Sequence, residues 1–359
     1  MRRSIIFFAI FTMLVLTGAS CVSSSGSTSG PMGMYRSSDK GEAWSSISAF
    51  PSTKGVLSIA GLKVFRVYTD PSDPNAMYVT TRGQGLFYTY NNGDSWQSVT
   101  AMAGKFLYGL AVDPEDKCTI YVADESHIYK TDDCSRTWKM IYTEERTSER
   151  FVALAIDFKD NKSIYVAQLG GDILASRDAG KSWKTIKRFG FYLQQLIADP
   201  LTPGRLYLGT YRNGLYRSDD QGKTWSDLSY GEGVFSGGKE FYRLILNPAK
   251  KDNIYWLCKY GILYSEDAGL SWSDYKLLSP PGSVNIYAFA VNPKDPKQIY
   301  YTGTILGENN THVRSTFYKS TDGGVNWVTK KLPTNTIPNA ILIHPNDPNV
   351  LFMSFTTFQ

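Results

Sequence analysis

Histidine and cysteine are scarce, since the 359-residue chain has only three of the first and four of the second. Cys118, Cys134 and Cys258 follow no ligand spacing of a known metal site, so the sequence predicts no metal and no other cofactor. The histidines are scattered, and no nucleophilic triad emerges around them. A glycine-rich phosphate loop is also missing. The sequence therefore offers few signals of a catalytic centre.

Neither the charge nor the length of the hydrophobic runs is extreme. The formal net charge of +5, with 20% charged residues, is too mild to indicate a nucleic-acid partner. The apolar run over residues 5–16 is too short to span a bilayer comfortably, and Arg2 and Arg3 precede it. Small residues follow it, as in an export signal. We therefore expect residues 1–20 to be a signal peptide.

The stretch TGASC, which ends at Cys21, resembles a bacterial lipobox, in which the cysteine is acylated and becomes the first mature residue. Gly18 stands where leucine is usual, and ordinary signal cleavage nearby is the alternative. Residues 21–32 are rich in serine and glycine and are expected to form a flexible tether. The expected protein is thus an exported lipoprotein of the bacterial cell envelope, attached to a membrane through Cys21.

Aromatic residues and glycine are abundant, with 24 Tyr, 8 Trp and 31 Gly, and they favour short strands joined by tight turns. The stretch GLYRSDDQGKTWSD, residues 214–227, belongs to a motif that occurs seven times. Successive motif tryptophans are 42 to 55 residues apart, close to the length of one four-stranded propeller blade. The motifs end at Trp44, Trp96, Trp138, Trp183, Trp225, Trp272 and Trp327.

Strand signals precede the motif at fixed offsets and define the fold. A first strand such as LQQLIADP and a second such as RLYLGT come before six of the seven motifs. The motif at Trp44 has no such pair before it, and the last pair has no motif after it. The sequence therefore predicts an all-β fold, a single seven-bladed β-propeller over residues 33–359. Its four-stranded antiparallel blades close when the C-terminal strands pair with the N-terminal strand.

Each motif is expected to staple a hairpin. Its acidic residue can accept hydrogen bonds from the amides of the turn, its glycine supplies a backbone conformation that other residues avoid, and its tryptophan buries a ring beside neighbouring strands. Because the acidic residues lie in separate turns around a ring, they cannot converge on one substrate. The residues at this motif position are Asp39, Asn91, which replaces the aspartate in the second copy, Asp133, Asp178, Asp220, Asp267 and Asp322.

These repeats resemble the Asp-box (BNR) repeat, S-x-D-x-G-x-T-W, and are most similar to those of the sortilin luminal domain, xyloglucan-cleaving endoglucanases and photosystem II assembly factors. The resemblance implies the propeller fold but no particular activity. Sialidases of this type need an Arg-Ile-Pro motif, which does not occur here. The xyloglucan enzymes place two catalytic carboxylates between two propellers, whereas one propeller is predicted here. No catalytic residue is carried over.

One face of the ring is the expected binding surface. Loops that enter the first strands and loops that join the second and third strands share this face, opposite the motifs. Their arginines and tyrosines suit a protein or a polysaccharide, although packing between blades is an alternative role for the tyrosines. The candidate ligand-binding residues are Arg66, Arg82, Tyr108, Tyr192, Tyr211, Arg212, Tyr242, Arg243, Lys259, Tyr260 and Tyr287.

Two cysteines are expected to pair. Cys118 opens a second strand and Cys134 lies just past the third strand of the same blade, so a hairpin brings them close enough for a disulfide. An exported chain enters an oxidising compartment, where such a bond persists. Cys258 is expected to be a buried small apolar residue.

From these features we expect a monomeric, non-enzymatic binding or assembly module that recognises a protein or a polysaccharide. The alternative is a glycan-active hydrolase, which needs two carboxylates across one scissile bond. The loop carboxylates are expected to be mostly solvated, and the sequence does not show that any two converge. They are Glu144, Glu145, Glu149, Glu240 and Glu308. A structural envelope protein is a third option.

Overall fold

The computed structural model describes residues 30–230 and 234–358. The predicted signal peptide and the lipidation site at Cys21 lie outside the described residues. Within the described ranges, strands dominate and the helices are two 3-10 turns, Thr100–Met102 and Glu308–Asn310. No helix there is long and apolar enough to cross a membrane.

The described chain begins with β1 (Gly33–Ser37) and β2 (Ser45–Ser46), separated by the first motif. A two-stranded hairpin follows, formed by β3 (Ala49–Ser52) and β4 (Gly55–Ser58). The sequence pattern did not predict this hairpin, because it lies outside the repeat and contains no strand signal shared with the other blades.

Six consecutive four-stranded antiparallel blades come next, each with its strands in chain order. Blade I contains β5 (Val64–Thr69), β6 (Met77–Thr81), β7 (Leu86–Thr89) and β8 (Gln97–Ser98). Blade II contains β9 (Gly109–Val112), β10 (Ile120–Ala123), β11 (His127–Thr131) and β12 (Lys139–Thr143). Blade III contains β13 (Phe151–Ile156), β14 (Ile164–Gln168), β15 (Asp172–Ser176) and β16 (Lys184–Arg188).

The second half of the ring repeats this arrangement. Blade IV contains β17 (Leu193–Ala198), β18 (Leu206–Thr210), β19 (Leu215–Ser218) and β20 (Ser226–Asp227). Blade V contains β21 (Phe241–Leu246), β22 (Ile254–Cys258), β23 (Ile262–Ser265) and β24 (Ser273–Asp274). Blade VI contains β25 (Phe289–Val291), β26 (Ile299–Leu306), β27 (His312–Ser320) and β28 (Val328–Lys330).

Blade VII is built from both ends of the chain. The last strands, β29 (Ile337–Ile343) and β30 (Leu351–Thr356), join the first two in the order β2-β1-β30-β29. Strand β1 pairs with β30 in an antiparallel register that runs from Gly33 opposite Phe355 to Ser37 opposite Leu351. This pairing confirms the seven-bladed ring and its predicted closure.

The hydrophobic core lies between the blades. Seven clusters of buried residues occur, and each combines side chains of two adjacent blades, including blades VII and I. The second strand of a blade is covered on both faces, which explains its nearly continuous apolar sequence. In β14, for example, every residue from Ile164 to Gln168 is buried. Closure of the ring therefore completes a core interface as well as a sheet.

The motif turns have the predicted hydrogen bonds, as blade IV illustrates. The Asp220 carboxylate accepts bonds from the Ser218 hydroxyl (2.8 Å), the Thr224 amide (2.9 Å) and the Thr224 hydroxyl (2.6 Å). Gly222 has a φ of 86°, and a Cβ there would come within 2.6 Å of the Ile186 side chain of blade III. The glycine thus permits both the turn and the approach of the preceding blade.

The motif tryptophans are less buried than expected. Among the seven, Trp96 is fully buried, whereas Trp225 and the others stay partly exposed at the outer rim. The difference comes from the β3–β4 hairpin, since the Trp96 amide donates to the carbonyl of Ala49 (2.8 Å). The Trp96 indole also donates to the carbonyl of Ile47 in blade VII (2.7 Å). In blade I, the inserted hairpin thus adds to the cover of the rim tryptophan.

Cys118 and Cys134 are joined by a disulfide, and Cys258 is a buried free thiol. The bond closes a loop with a sequence separation of 16 residues. In the chain-entropy model, a cross-link that closes a loop of this size raises the free energy of unfolding by about 3 kcal/mol, because it reduces the entropy of the unfolded chain. We therefore expect the Cys118→Ser/Cys134→Ser variant to unfold at a lower urea concentration than the oxidised wild type. Reduction of the disulfide should lower the urea midpoint of the wild type to that of the variant. If the oxidised wild type and the variant unfold at the same urea concentration, the expectation is wrong.

Candidate functional site

Aromatic rings surround the central channel on the face opposite the motifs. Phe65 at the start of blade I lies 4.9 Å from Phe106 and 5.9 Å from Tyr108, measured between ring centroids. Phe106 and Tyr108 stack at 4.3 Å. On the other side of the channel, Tyr287 lies 5.4 Å from Tyr242. Two groups of rings therefore face one opening.

Arg82 and Phe358 join these two groups. The Arg82 guanidinium lies 5.3 Å from the ring of Phe65, 5.8 Å from Phe106 and 5.7 Å from Phe358. Phe358 in turn lies 5.5 Å from Tyr287. We call the resulting set the aromatic mouth, and it consists of Phe65, Arg82, Phe106, Tyr108, Tyr242, Tyr287 and Phe358.

Two further arginines lie beside the aromatic mouth. The Arg66 side chain crosses the channel from blade I and donates to the carbonyl of Gln194 in blade IV (3.0 Å). Arg243 lies in blade V, where burial and then the charge of Arg66 lower the pKa of its guanidinium to about 10. Burial also lowers the pKa of Arg82. The opening therefore carries three guanidinium groups, and burial makes the charged form of two of them, Arg82 and Arg243, less favourable.

The remaining predicted binding residues lie away from the aromatic mouth. Tyr192 and Tyr211 are 57% and 44% exposed, and the Arg212 guanidinium packs over Tyr211 at 5.0 Å. Tyr260 packs against Phe235 and donates a hydrogen bond to Asp274 (3.0 Å). Lys259 donates its backbone amide to Glu240. The structure thus brings together Arg66, Arg82, Tyr108, Tyr242, Arg243 and Tyr287 and leaves Tyr192, Tyr211, Arg212, Lys259 and Tyr260 outside.

Sequence reasoning missed three members of the aromatic mouth: Phe65, Phe106 and Phe358. A signal for Phe65 exists in the repeat itself. Strand β5 has a register shift between Val64 and Arg66, and β21 has the same shift between Phe241 and Arg243. Phe65 and Tyr242 are therefore equivalent bulge residues, each followed by an arginine. A bulge re-aims side chains at a strand end, which explains why alternation alone did not identify Phe65.

One loop carboxylate is buried rather than solvated. Glu144 accepts hydrogen bonds from Arg146 at 2.9 Å and 3.1 Å and is buried. Arg146 also contacts Asp172 at 3.0 Å. These bonds from Arg146 lower the pKa of Glu144 to about 2. The expectation of a solvated charge is wrong for Glu144, and its low pKa makes it a poor proton donor.

Two other carboxylates lie next to the aromatic mouth. Glu125 and Glu240 are both exposed, in blade II and before the first strand of blade V. The pKa of Tyr108 is raised by burial and by the charge of Glu125. The pKa of Tyr242 is raised by burial and also by the charge of Glu240. Each glutamate therefore lies within electrostatic range of one ring of the mouth.

The described residues offer no alternative metal chemistry. In the part of the chain that the structure describes, no three His, Cys, Asp or Glu side chains come together as ligands for an ion.

Known proteins with the same fold include glycan-cleaving enzymes. Xyloglucanase Xgh74A of Acetivibrio thermocellus is 28% identical over 276 residues, which are 69% of this chain and 28% of that enzyme. The Niastella koreensis GH74 enzyme superposes with a TM-score of 0.66 at 17% identity, over 82% of this chain and 51% of that one. YCF48 bound to a D1 peptide superposes with a TM-score of 0.59 at 17% identity, over 82% of this chain and 94% of that one.

The chain spans 28% of the length of the xyloglucanase that it matches. The structural likenesses show the fold alone, because their sequence identities are low. The curated relatives nevertheless overturn the prediction of a non-enzymatic binding or assembly module. Those covering half of this chain or more are xyloglucanases, which favours the hydrolase alternative.

A family model gives the broadest match. The model described as Sortilin-Vps10 (sortilin, neurotensin receptor 3) matches residues 33–170, 171–276 and 213–354. Together these matches extend over almost the whole ring, from β1 to β30. The chain belongs to the Sortilin-Vps10 family.

Proposed function

We propose that this protein is a glycoside hydrolase that cleaves a polysaccharide of the xyloglucan type at the aromatic mouth. The observation that carries the proposal is the similarity to xyloglucanases over about two thirds of the chain, 69% for Xgh74A. Further support comes from Glu125 and Glu240, which are exposed and whose charges help to raise the pKa values of Tyr108 and Tyr242.

The proposed mechanism assigns separate tasks to the rings, the arginines and the carboxylates. Flat aromatic faces can stack on the apolar faces of sugar rings, while guanidinium groups donate to sugar hydroxyls. Hydrolysis of a glycosidic bond uses two carboxyl groups, one that protonates the leaving oxygen and one that activates water or attacks the sugar. Glu125 and Glu240 are our candidates for these two roles, since Glu144 is held ionised by Arg146.

Release of reducing sugar ends from xyloglucan tests this function. We expect activity in the wild type and a decrease of at least about a hundredfold in Glu125→Gln and in Glu240→Gln, because each loses a general acid or base. Glu266→Gln is the matched control. Glu266 is exposed on the motif side and forms one surface ion pair, with Lys250 at 2.5 Å. Absence of hydrolysis by the wild type, or full activity in both mouth variants, would contradict the proposal.

We also propose that the protein is exported and anchored through Cys21. The support is the basic, apolar and small-residue order of residues 1–20 and the lipobox-like stretch that ends at Cys21. Cell fractionation tests this proposal, because the wild type should stay with membranes and Cys21→Ser should become soluble or remain unprocessed. Wild-type protein in the soluble fraction would contradict it.

A further inference from the structure

Arg82 in the aromatic mouth, and Arg66 and Arg243 beside it, differ from other partly buried arginines in the described part of the chain. Arg205 contacts Asp219 at 2.6 Å and Asp199 at 3.6 Å, and Arg146 contacts Glu144 and Asp172. Among residues 30–230 and 234–358, neither Arg66, Arg82 nor Arg243 forms an ion pair with a carboxylate. Their positive charges are therefore not neutralised by the described protein.

The position of these charges is unfavourable without an anion. Arg66 reaches the Gln194 carbonyl, and the neighbouring Gln195 side chain is hydrogen-bonded to the backbone of Leu244, next to Arg243, at 2.9 Å and 3.2 Å. Burial and then the charge of Arg66 disfavour ionisation of Arg243. One N–H group of Arg66 donates a hydrogen bond to the Gln194 carbonyl, and the guanidinium lies 5.1 Å from the centre of the Phe65 ring. A guanidinium has five N–H donors, so donors remain for a ligand. A carboxylate held between the two arginines would relieve the repulsion and form charge-assisted hydrogen bonds.

The surroundings indicate what carries that carboxylate. Phe65, Tyr108, Tyr242 and Tyr287 present rings around the same opening. Aromatic rings can stack on the apolar faces of sugar units, and the similarity to xyloglucanases favours a glycan over a peptide at this opening. A sugar unit that itself bears a carboxylate would satisfy both the rings and the arginines.

We propose that Arg66 and Arg243 bind the carboxylate of a uronic acid unit in a polysaccharide that lies across the aromatic mouth. This inference rests on the proposed function and names an acidic substituent of its substrate. Arg82 lies among the rings and supports binding through its charge.

Calorimetric titration with trigalacturonate, compared with a neutral xyloglucan oligosaccharide, tests the inference. We expect trigalacturonate to bind, and its affinity to fall modestly as salt is added, since screening acts less on partly buried charges than on exposed ones. Arg66→Gln and Arg243→Gln should each weaken trigalacturonate binding by at least about tenfold, because each removes a charge-assisted contact. Both should weaken binding of the neutral oligosaccharide by a smaller factor, because a glutamine amide can still donate to a sugar hydroxyl but carries no charge for a carboxylate. Arg136→Gln, on the motif side, is the matched control and should bind as the wild type does.

Folding is checked by thermal melting of Arg243→Gln and of Arg243→Met. Removal of a crowded charge should leave the melting temperature unchanged or raise it, so weaker binding in these variants reports on the ligand. If both arginine variants bind trigalacturonate as tightly as the wild type, the inference is wrong, and neutral-glycan hydrolysis can still stand. If trigalacturonate binds through the arginines but no polysaccharide is cleaved, the proposed function fails and the inference stands. Tighter binding of a peptide with a free terminal carboxylate would overturn the inference in favour of a peptide ligand.

Discussion

A chain that ends at residue 350 is expected to lose its cooperative fold. The deletion removes β30, whose residues Leu351–Thr356 are all buried between β29 and β1. It would expose the edges of both neighbouring strands and remove Phe352, Met353 and Phe355 from two core clusters. Circular dichroism and thermal melting should show no cooperative transition, and size-exclusion chromatography should show an expanded or aggregated species.

A milder truncation provides the control. A chain that ends at Thr356 keeps β30 and loses Phe358, so it should melt close to the wild type and show weaker glycan binding. A single substitution in β30 should lower the stability without abolishing the fold. Phe355 is fully buried and its ring lies 5.3 Å from that of Tyr35, so Phe355→Ala should cost about 3–5 kcal/mol. A native-like melting curve for the chain ending at residue 350 would show that the ring folds without the pairing of β1 with β30.

Acid is expected to destabilise the protein through the motif turns. The hydroxyl and amide of Thr224 lower the pKa of Asp220 to about 2, below its ordinary value of 3.8. Because the folded-state pKa is lower, the carboxylate stabilises the fold above about pH 4, and this stabilisation is lost as the pH falls towards about 2. The pKa is also about 2 for Asp133, Asp178, Asp267 and Asp322. Melting temperatures measured from pH 6 down to pH 2 should therefore decrease steeply below pH 4.

One motif turn of this chain already has asparagine in place of aspartate, which suggests Asp→Asn variants as a control. In blade I the motif residue is Asn91, whose side-chain oxygen accepts from the Ser95 amide (3.0 Å) and whose nitrogen donates to the Ser95 hydroxyl (2.9 Å). An amide can thus hold the turn without taking part in the titration. Asp220→Asn, combined with the same change at Asp178, should reduce the slope of melting temperature against pH in the acid range. An unchanged slope would mean that other carboxylates control acid unfolding.

The sequence predicts the ring because the repeat carries local and global information together. The motif predicts a turn, and the spacing between motifs predicts the length of a blade. The strands left without partners at the two ends of the chain predict that they pair with each other in the last blade. His344 shows how far the local logic extends. It occupies a position that is Asp or Asn in other blades, and its ring nitrogen accepts from the amides of Asn346 and Asp347.

The site was harder to predict than the fold. The β3–β4 hairpin and the bulge at Phe65 depend on contacts between blades, which the spacing of the repeat does not contain. Glu125 and Glu240, the proposed catalytic pair, come from different blades, so any joint role depends on the closed ring rather than on the spacing of the repeat. The motif residues determine the fold and carry no chemistry of the site. For this reason the sequence pattern alone led to the wrong prediction of a non-enzymatic module.

The hydrogen bond from Arg66 to the carbonyl of Gln194 joins blades on opposite sides of the ring. This bridge spans two inner strands of the ring, β5 and β17. We expect a solute that enters between the aromatic side chains to meet the Arg66 guanidinium before it can pass through the ring. Long polymers would therefore pass over the opening sideways, and short acidic ends would dip into it.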